Sequence, residues 1–250
     1  GTQWLDELGR NWTSSVPFSL PDSDVFLINA NANPPALATA PNTVSGVGTV
    51  LFNMAVNPVN GKLYVTNLES RNEVRFEDLI SNFPTSGAFG GVRGNIAKSR
   101  ITIISGTTPT PVHLNPLIDY TVAPGPPSEI LQSEAFPLAP AFSTDGTNAG
   151  TRVYVPFFGS SKVVSYAAPT LEAGTVSGSE LQVCGGPSGV VFDAANDRLY
   201  VMCRFDNSVG VVNSATNPAL WSVAGYQSVG YDAEPSAVRT GRRFLYDATV

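Results

Sequence analysis

A tyrosine recurs along this chain at an even spacing, each time inside nearly the same phrase. Tyr154, Tyr200 and Tyr246 are 46 residues apart, and Tyr64 precedes Tyr154 by 90, close to two such intervals. Around the first lies Ala55-Val56-Asn57-Pro58-Val59-Asn60-Gly61-Lys62-Leu63-Tyr64-Val65-Thr66-Asn67. The second copy is Ala141 to Gly146 followed by Arg152-Val153-Tyr154-Val155-Pro156, and the third is Val191-Phe192-Asp193, a turn, then Arg198-Leu199-Tyr200-Val201. A shortened fourth copy runs from Ala237 to Tyr246. Each unit reads as a short apolar strand, an Asn/Asp/Gly turn and a basic residue opening an alternating strand. That is a hairpin pattern, because Asn, Asp and Gly accept the positive φ of a tight reversal. A third strand follows in each unit, at Glu73–Phe76, Lys162–Tyr166 and Ser208–Val212.

Internal repeats of about 40 to 50 residues with four strands each are the signature of propeller blades. The expected fold is therefore all-β: a β-propeller with four-stranded antiparallel blades, about four of them visible. Composition agrees. Only 14% of residues are charged against 42% hydrophobic, with 23 Gly and 20 Pro, which suits short strands and turns better than solvated helices. The net charge of −6 and the scattered 14 basic residues leave no basic face for nucleic acid. Apolar runs are strand-sized, so no membrane-spanning segment is expected. Gly1 opens no signal peptide, which suggests a mature or trimmed product.

The phrase Leu63-Tyr64-Val65-Thr66-Asn67 resembles the repeat that names the YVTN β-propellers, and the likeness extends over most of residues 22–250. The string Gly241 to Ala248 is similar to a segment of bacterial propeller proteins that also carry a c-type haem domain. So are Phe52–Pro58, Arg71–Glu77 and Phe158–Val163. The resemblance implies export to the periplasm or cell exterior, and covalent haem in a longer parent protein. This chain has no Cys-x-x-Cys-His, so no cofactor is expected within it.

The units divide as an N-terminal extension (1–21), a partial blade (22–48), an enlarged blade (49–122), blades at 135–183 and 187–231, and a partial blade (235–250). The extra length of the enlarged blade is assigned to a long loop over Asp78–Lys98, with Ser99–Ser105 as a strand resembling the third of the other units. Asp24–Ala30 reads as a third strand lacking its first two, and Arg242–Ala248 as a second strand lacking its partners. Either the two ends complete one blade of a small closed ring, or the chain is a slice of a larger propeller, which is the preferred reading.

Chemistry is harder to locate. Cys184 and Cys203 are 19 apart. If Phe192 pairs near Arg198, Cys203 falls opposite residue 187, close enough to Cys184 for a disulfide, though two buried thiols are the alternative. The single histidine, His113, sits in an expected loop without a nucleophile elbow beside it. The acidic turns Asp193–Asp197 and Asp22–Asp24 lack calcium-loop spacing, and Asn11-Trp12-Thr13 is a lone sequon. No catalytic, metal or cofactor residues stand out. The loops after each second strand gather Arg71, Glu73, Phe158, Lys162, Arg204, Phe205 and Asp206 as a candidate binding rim. The leading expectation is thus a non-catalytic exported module that binds a protein partner or supports its own redox domain. The alternatives are a lactonase- or dehydrogenase-like enzyme with its pocket on the ring axis, and a surface protein self-associating through open blade edges.

Overall fold

The computed structural model describes residues 3–5, 8–15, 22–71, 95–120, 122 and 125–249. It divides into two compact units, residues 1–46 and 47–250.

In the first unit, β1 (Val25–Phe26) pairs with β4 (Thr43–Val44), and β2 (Ile28–Asn29) with β3 (Ala36–Leu37), both antiparallel. The single third strand expected over Asp24–Ala30 is therefore two short strands in different sheets. They part at Leu27, whose N–H donates to the Asn42 carbonyl while its own carbonyl accepts from Ala38. Prolines 34, 35 and 41 interrupt the returning segment, and proline's missing N–H keeps that pairing short.

The second unit holds three four-stranded antiparallel sheets, each in sequence order. The first comprises β5 (Val50–Val56), β6 (Leu63–Ser70), β7 (Ala97–Ser105) and β8 (Thr108–His113). The second comprises β9 (Ala141–Phe142), β10 (Arg152–Phe157), β11 (Lys162–Ala167) and β12 (Gly178–Gln182). The third comprises β13 (Pro187–Asp193), β14 (Arg198–Cys203), β15 (Ser208–Asn213) and β16 (Ser222–Ser228). The fold is all-β, and its unit is the four-stranded antiparallel blade. Helices are short: α1 (Pro127–Gln132), α2 (Ala168–Glu172) and α3 (Ser236–Tyr246).

Turn chemistry sets the hairpins. Gly61 and Asp197, at φ +70° and +50°, close the β5–β6 and β13–β14 turns; Ser161 and Asn207, at φ +53° and +49° and 46 residues apart, close the β10–β11 and β14–β15 turns. The strand β7 pairs with β6 along its whole length, from Ser70 opposite Ala97 to Leu63 opposite Ile104. It fills the slot beside β6 that Glu73–Phe76 was also read to fill; those four residues, and most of Asp78–Lys98, lie outside the described residues. His113 is not in a loop: it ends β8, opposite Arg100.

The repeated tyrosines explain the packing. Tyr64 on β6 is fully buried, lies edge-on to Phe142 of the next blade at 4.9 Å, and donates its hydroxyl to Glu172 Oε1 at 2.8 Å. Tyr154 on β10, equally buried, stacks on Phe192 of the following blade at 5.6 Å and donates to the Ala215 carbonyl at 3.0 Å. Tyr200 on β14 instead donates to Asp193 of its own blade, at 3.3 Å, and is half-buried. A second tie joins the first two blades. The buried Asn57 donates to the Gly150 carbonyl at 3.0 Å, and a Cβ on Gly150 would stand 2.3 Å from the Asn57 amide oxygen.

The strand expected over Arg242–Ala248 is corrected to the C-terminal half of helix α3. Its apolar residues Phe244 and Tyr246 alternate, but no neighbouring strand receives them. Arg239 and Arg242 reach back to Asp232 and Glu234 instead, bracing the helix from the preceding turn. The chain then docks by its backbone, Ala248 N–H donating to the Gly159 carbonyl at 2.7 Å.

These packing roles make different demands on chemically identical changes. Tyr154→Phe should lower unfolding free energy by about 1 kcal/mol, the net worth of a buried hydrogen bond, while Tyr200→Phe should change it by less than about 0.5 kcal/mol. Urea unfolding of the two variants measures the difference.

Candidate active site

Leu114 to Ser133 connects the first blade to the second, and Glu134 lies at its end. Asn115 holds Glu134 by two reciprocal bonds: its amide donates to the Glu134 carbonyl at 3.1 Å, and the Glu134 N–H donates to its oxygen at 2.7 Å. The next backbone N–H, of Ala135, donates to Ser160 Oγ at 2.9 Å. The connection is pinned on both sides of the carboxyl.

Strand alternation supplies the facing wall. Along β11, Lys162, Val164 and Tyr166 share one face, since successive side chains point to opposite sides. They stand opposite Gln182, Glu180 and Gly178 of β12. The Tyr166 hydroxyl, fully buried, donates to Glu134 Oε2. Gly178 leaves room for this ring, because a Cβ there would lie 2.4 Å from Val164 Cγ1 and 2.8 Å from Tyr166 Cε1. Lys162 is wholly buried, its ammonium donating to Glu180 Oε2 at 2.6 Å and to the Leu131 carbonyl at 3.0 Å. A buried ammonium is tolerated only with such partners.

Glu134 and Glu180 line a cavity of about 280 Å³ whose other walls include Leu114, Leu117, Val164 and Val176. Burial among these groups pushes the Glu134 carboxyl up to about 7, against the opposing pull of its Tyr166 hydrogen bond and the Lys162 charge; Glu180 adds to the rise. Burial, then the Glu134 charge and hydrogen bond, holds the Tyr166 hydroxyl far above its ordinary value. The result is a carboxyl able to gain or lose a proton near neutral pH on the wall of a small cavity, the property a general acid–base group needs.

The candidate rim comes apart into different environments. Lys162 is not on a rim; the alternation of β11 turns it inward to Glu180. Phe158 and Phe205 meet edge-on at 4.9 Å and share contacts with the exposed Tyr246, forming an aromatic cluster in which Phe205 is buried. Arg204 and Asp206 are exposed, Asp206 accepting from the Gly185 N–H at 2.8 Å. Arg71 is half-buried, its N–H bonded to the Ile96 carbonyl, and Glu73 lies outside the described residues. Cys184 and Cys203 form a disulfide with Cα atoms 5.6 Å apart, and Cys203 stands opposite Pro187 in the ladder.

Of the acidic turns, Asp193 spends its oxygens on the N–H groups of Ala195 and Asn196 and on the Asn196 amide, which is turn chemistry. His113 is held neutral, first by burial, and its Nδ1 lies 3.3 Å from the Ser99 carbonyl. Among the described residues no group of three or more His, Cys, Asp or Glu could hold a metal ion. Nor is any described helix long and apolar enough to cross a membrane.

Glu134, Tyr166, Glu180 and Asn115 escaped the sequence reading. One signal pointed to them: Lys162 stands in phase with Val164 and Tyr166 on an otherwise inward face, and an inward lysine requires a carboxylate nearby.

No family model matches the chain, and no curated protein matches it. Solved structures do. The hydrazine synthase of Kuenenia stuttgartiensis is 17% identical, with a TM-score of 0.48 over 70% of this chain and 48% of its own. The periplasmic gluconolactonase of Pseudomonas aeruginosa is 12% identical, with a TM-score of 0.45 over 77% of this chain and 46% of its own. A streptogramin B lyase is 13% identical, with a TM-score of 0.41 over 86% of this chain and 58% of its own. The chain is built of β-propeller blades. It spans about half the length of the first of these structures, and the likeness is one of fold alone. The expectation of a non-catalytic scaffold is nevertheless corrected by this set. A lactonase and a lyase stand among the proteins sharing the architecture, so the blade fold gives no ground for excluding catalysis, and the enzyme alternative is carried forward. The cavity differs from that alternative in place: it lies against the third and fourth strands, β11 and β12, rather than the first strands that neighbour one another.

The raised Glu134 value has a consequence for stability. A carboxyl that ionises at about 7 when folded and near 4.5 when unfolded keeps its proton longer in the folded state. Folding stability therefore falls as pH rises from about 4.5 to about 7, by at most about 3 kcal/mol, and is flat in this term above. Thermal unfolding between pH 5 and 8 should show this decline in the native chain and a flatter profile in Glu134→Gln.

Proposed function

We propose that residues 47–250 form the propeller portion of an exported enzyme that performs general acid–base chemistry on a small neutral substrate, of which a lactone is the favoured class. The observation that carries the reading is the Glu134 carboxyl. Burial brings it to about 7, Tyr166 and Asn115 fix it, and it faces a cavity with both apolar and polar walls. In lactone hydrolysis the ionised Glu134 would take a proton from the attacking water as the new C–O bond forms at the carbonyl carbon. It would return that proton to the ring oxygen as the ring C–O bond breaks. The carboxyl ends in its starting form, and no other reactant is consumed. Lys162, neutralised by Glu180, would bias the charge state of Glu134 without touching the substrate.

Export is supported by the Cys184–Cys203 disulfide, since such bonds persist in oxidising compartments. A neighbour described as a periplasmic gluconolactonase is in keeping with it. The Leu63–Asn67 phrase supports placing the chain with the YVTN-type propellers, and the Gly241–Ala248 string supports kinship with the haem-linked subgroup, whose haem would belong to a longer parent protein.

A panel of γ- and δ-lactones followed by proton release tests the reading. The native chain should hydrolyse at least one of them, with kcat rising with pH through about 7. Glu134→Gln should lower kcat roughly 10²- to 10⁴-fold and abolish that rise, the range typical of a lost acid–base group. Hydrolysis unchanged in Glu134→Gln, or absent across the panel, would sink the assignment.

A further inference from the structure

A second and larger cavity, of about 600 Å³, opens on the third blade and shares no lining residue with the Glu134 cavity. Its volume falls within the roughly 300–1,000 Å³ usual for small-molecule sites. Its walls come from four separate places: the β10–β11 turn (Ser161), the end of β12 (Gln182), the β14–β15 hairpin with β16 (Asp206, Ser208, Tyr226), and helix α3 (Arg243).

The site is rigidly made. The lining residue Ser161 is buried, and its hydroxyl donates to Asp247 Oδ2 at 2.5 Å. The buried Asp247 carboxylate also accepts from the Thr249 N–H and hydroxyl at 2.9 and 2.6 Å. On the opposite wall the disulfide ties Cys184, itself a lining residue, to β14, and the adjacent Gly185 N–H anchors one Asp206 oxygen. The Tyr226 hydroxyl donates to the Val183 carbonyl, itself of a lining residue, which fixes its half-exposed ring within the lining.

Charge decides among ligand classes. Among the described lining residues Arg243 brings the one positive charge, and Asp247 lies 3.9 Å from it and offsets it. Asp206 then leaves the cavity with a net negative balance. A phosphate or carboxylate would meet no uncompensated cation, a small cation would meet a single solvent-exposed carboxylate already accepting from the Gly185 N–H, and a wholly apolar ligand would strand a carboxylate, a guanidinium and an amide. What fits is a ligand of many neutral hydroxyls, each able to donate to Asp206 and accept from Arg243, Gln182 or Ser208. An apolar ring face can then lie on Tyr226.

We propose that this cavity is a binding site for a neutral polyhydroxylated ligand of the saccharide class, separate from the Glu134 cavity. The proposal is independent of the lactonase reading, because it rests on different residues.

Calorimetric titration of the intact chain with neutral mono- and disaccharides tests it, with inorganic phosphate and glucosamine as the anionic and cationic arms. At least one neutral saccharide should bind saturably and more tightly than either charged probe. Asp206→Asn, which keeps an acceptor for Gly185, should weaken that binding tenfold or more, and Gln182→Ala should weaken it to a lesser degree. Glu134→Gln should leave it unchanged. Absence of saturable binding by every neutral saccharide would overturn the proposal, as would tighter binding of phosphate or glucosamine. Binding that is lost in Glu134→Gln but kept in Asp206→Asn would place the ligand in the other cavity and overturn it too.

Discussion

A phenol hydroxyl buried between two sheets must find a hydrogen-bond acceptor, and for Tyr64 and Tyr154 the acceptor belongs to the next blade. Tyr64 reaches Glu172 and Tyr154 reaches Ala215, each while its ring packs on the phenylalanine that opens the next hairpin. Burial first of all pushes both hydroxyls well above their ordinary range; the Glu172 carboxylate pushes Tyr64 further, and the Asp145 and Asp197 charges add to the rise of Tyr154 against the pull of Arg152. Both therefore stay protonated and remain donors at neutral and mildly alkaline pH. Leaving such a donor unmet would cost about 1–3 kcal/mol, so docking of the next blade stabilises the first and the second in place.

The same junction that satisfies Tyr64 also recruits charge. Glu172 on α2 accepts from Tyr64, Asn60 and Lys62 together. Burial works against its ionisation, yet these three donors outweigh it and hold the carboxyl below its ordinary value. Glu134 lies at the end of the chain that joins the same two blades and has the opposite fate. Tyr166 and Lys162 do not compensate its burial, and its proton is held to near neutrality. Two glutamates joining one pair of blades are thus pushed in opposite directions, and the number of donors each one meets separates them.

Much of the architecture was legible in the residues. The hairpins around Tyr64, Tyr154 and Tyr200 follow from strand alternation and from Gly61, Asp197 and Asn207 at positive-φ turn positions. The readings that failed did so where local pattern and long-range pairing part company. Phe244 and Tyr246 alternate like a strand, but with no partner ladder the arginines at 239 and 242 set a helical period instead. Asp24–Ala30 looks continuous, yet its two halves answer to different partners. The site was hidden for the same reason. Glu134 stands in a proline-broken connection with no periodicity, and only the facing of β11 and β12 gives it a tyrosine, a lysine and a second carboxylate.

That placement splits the cavity between two stretches of chain. The titrating carboxyl sits on neither blade but on the chain between them, clamped by Asn115 behind the first and by Ser160 and Tyr166 of the second. The remaining lining comes from that same connection and from the second blade. A change in the length of the connection would therefore reshape the cavity while leaving the ladders of both sheets paired as before.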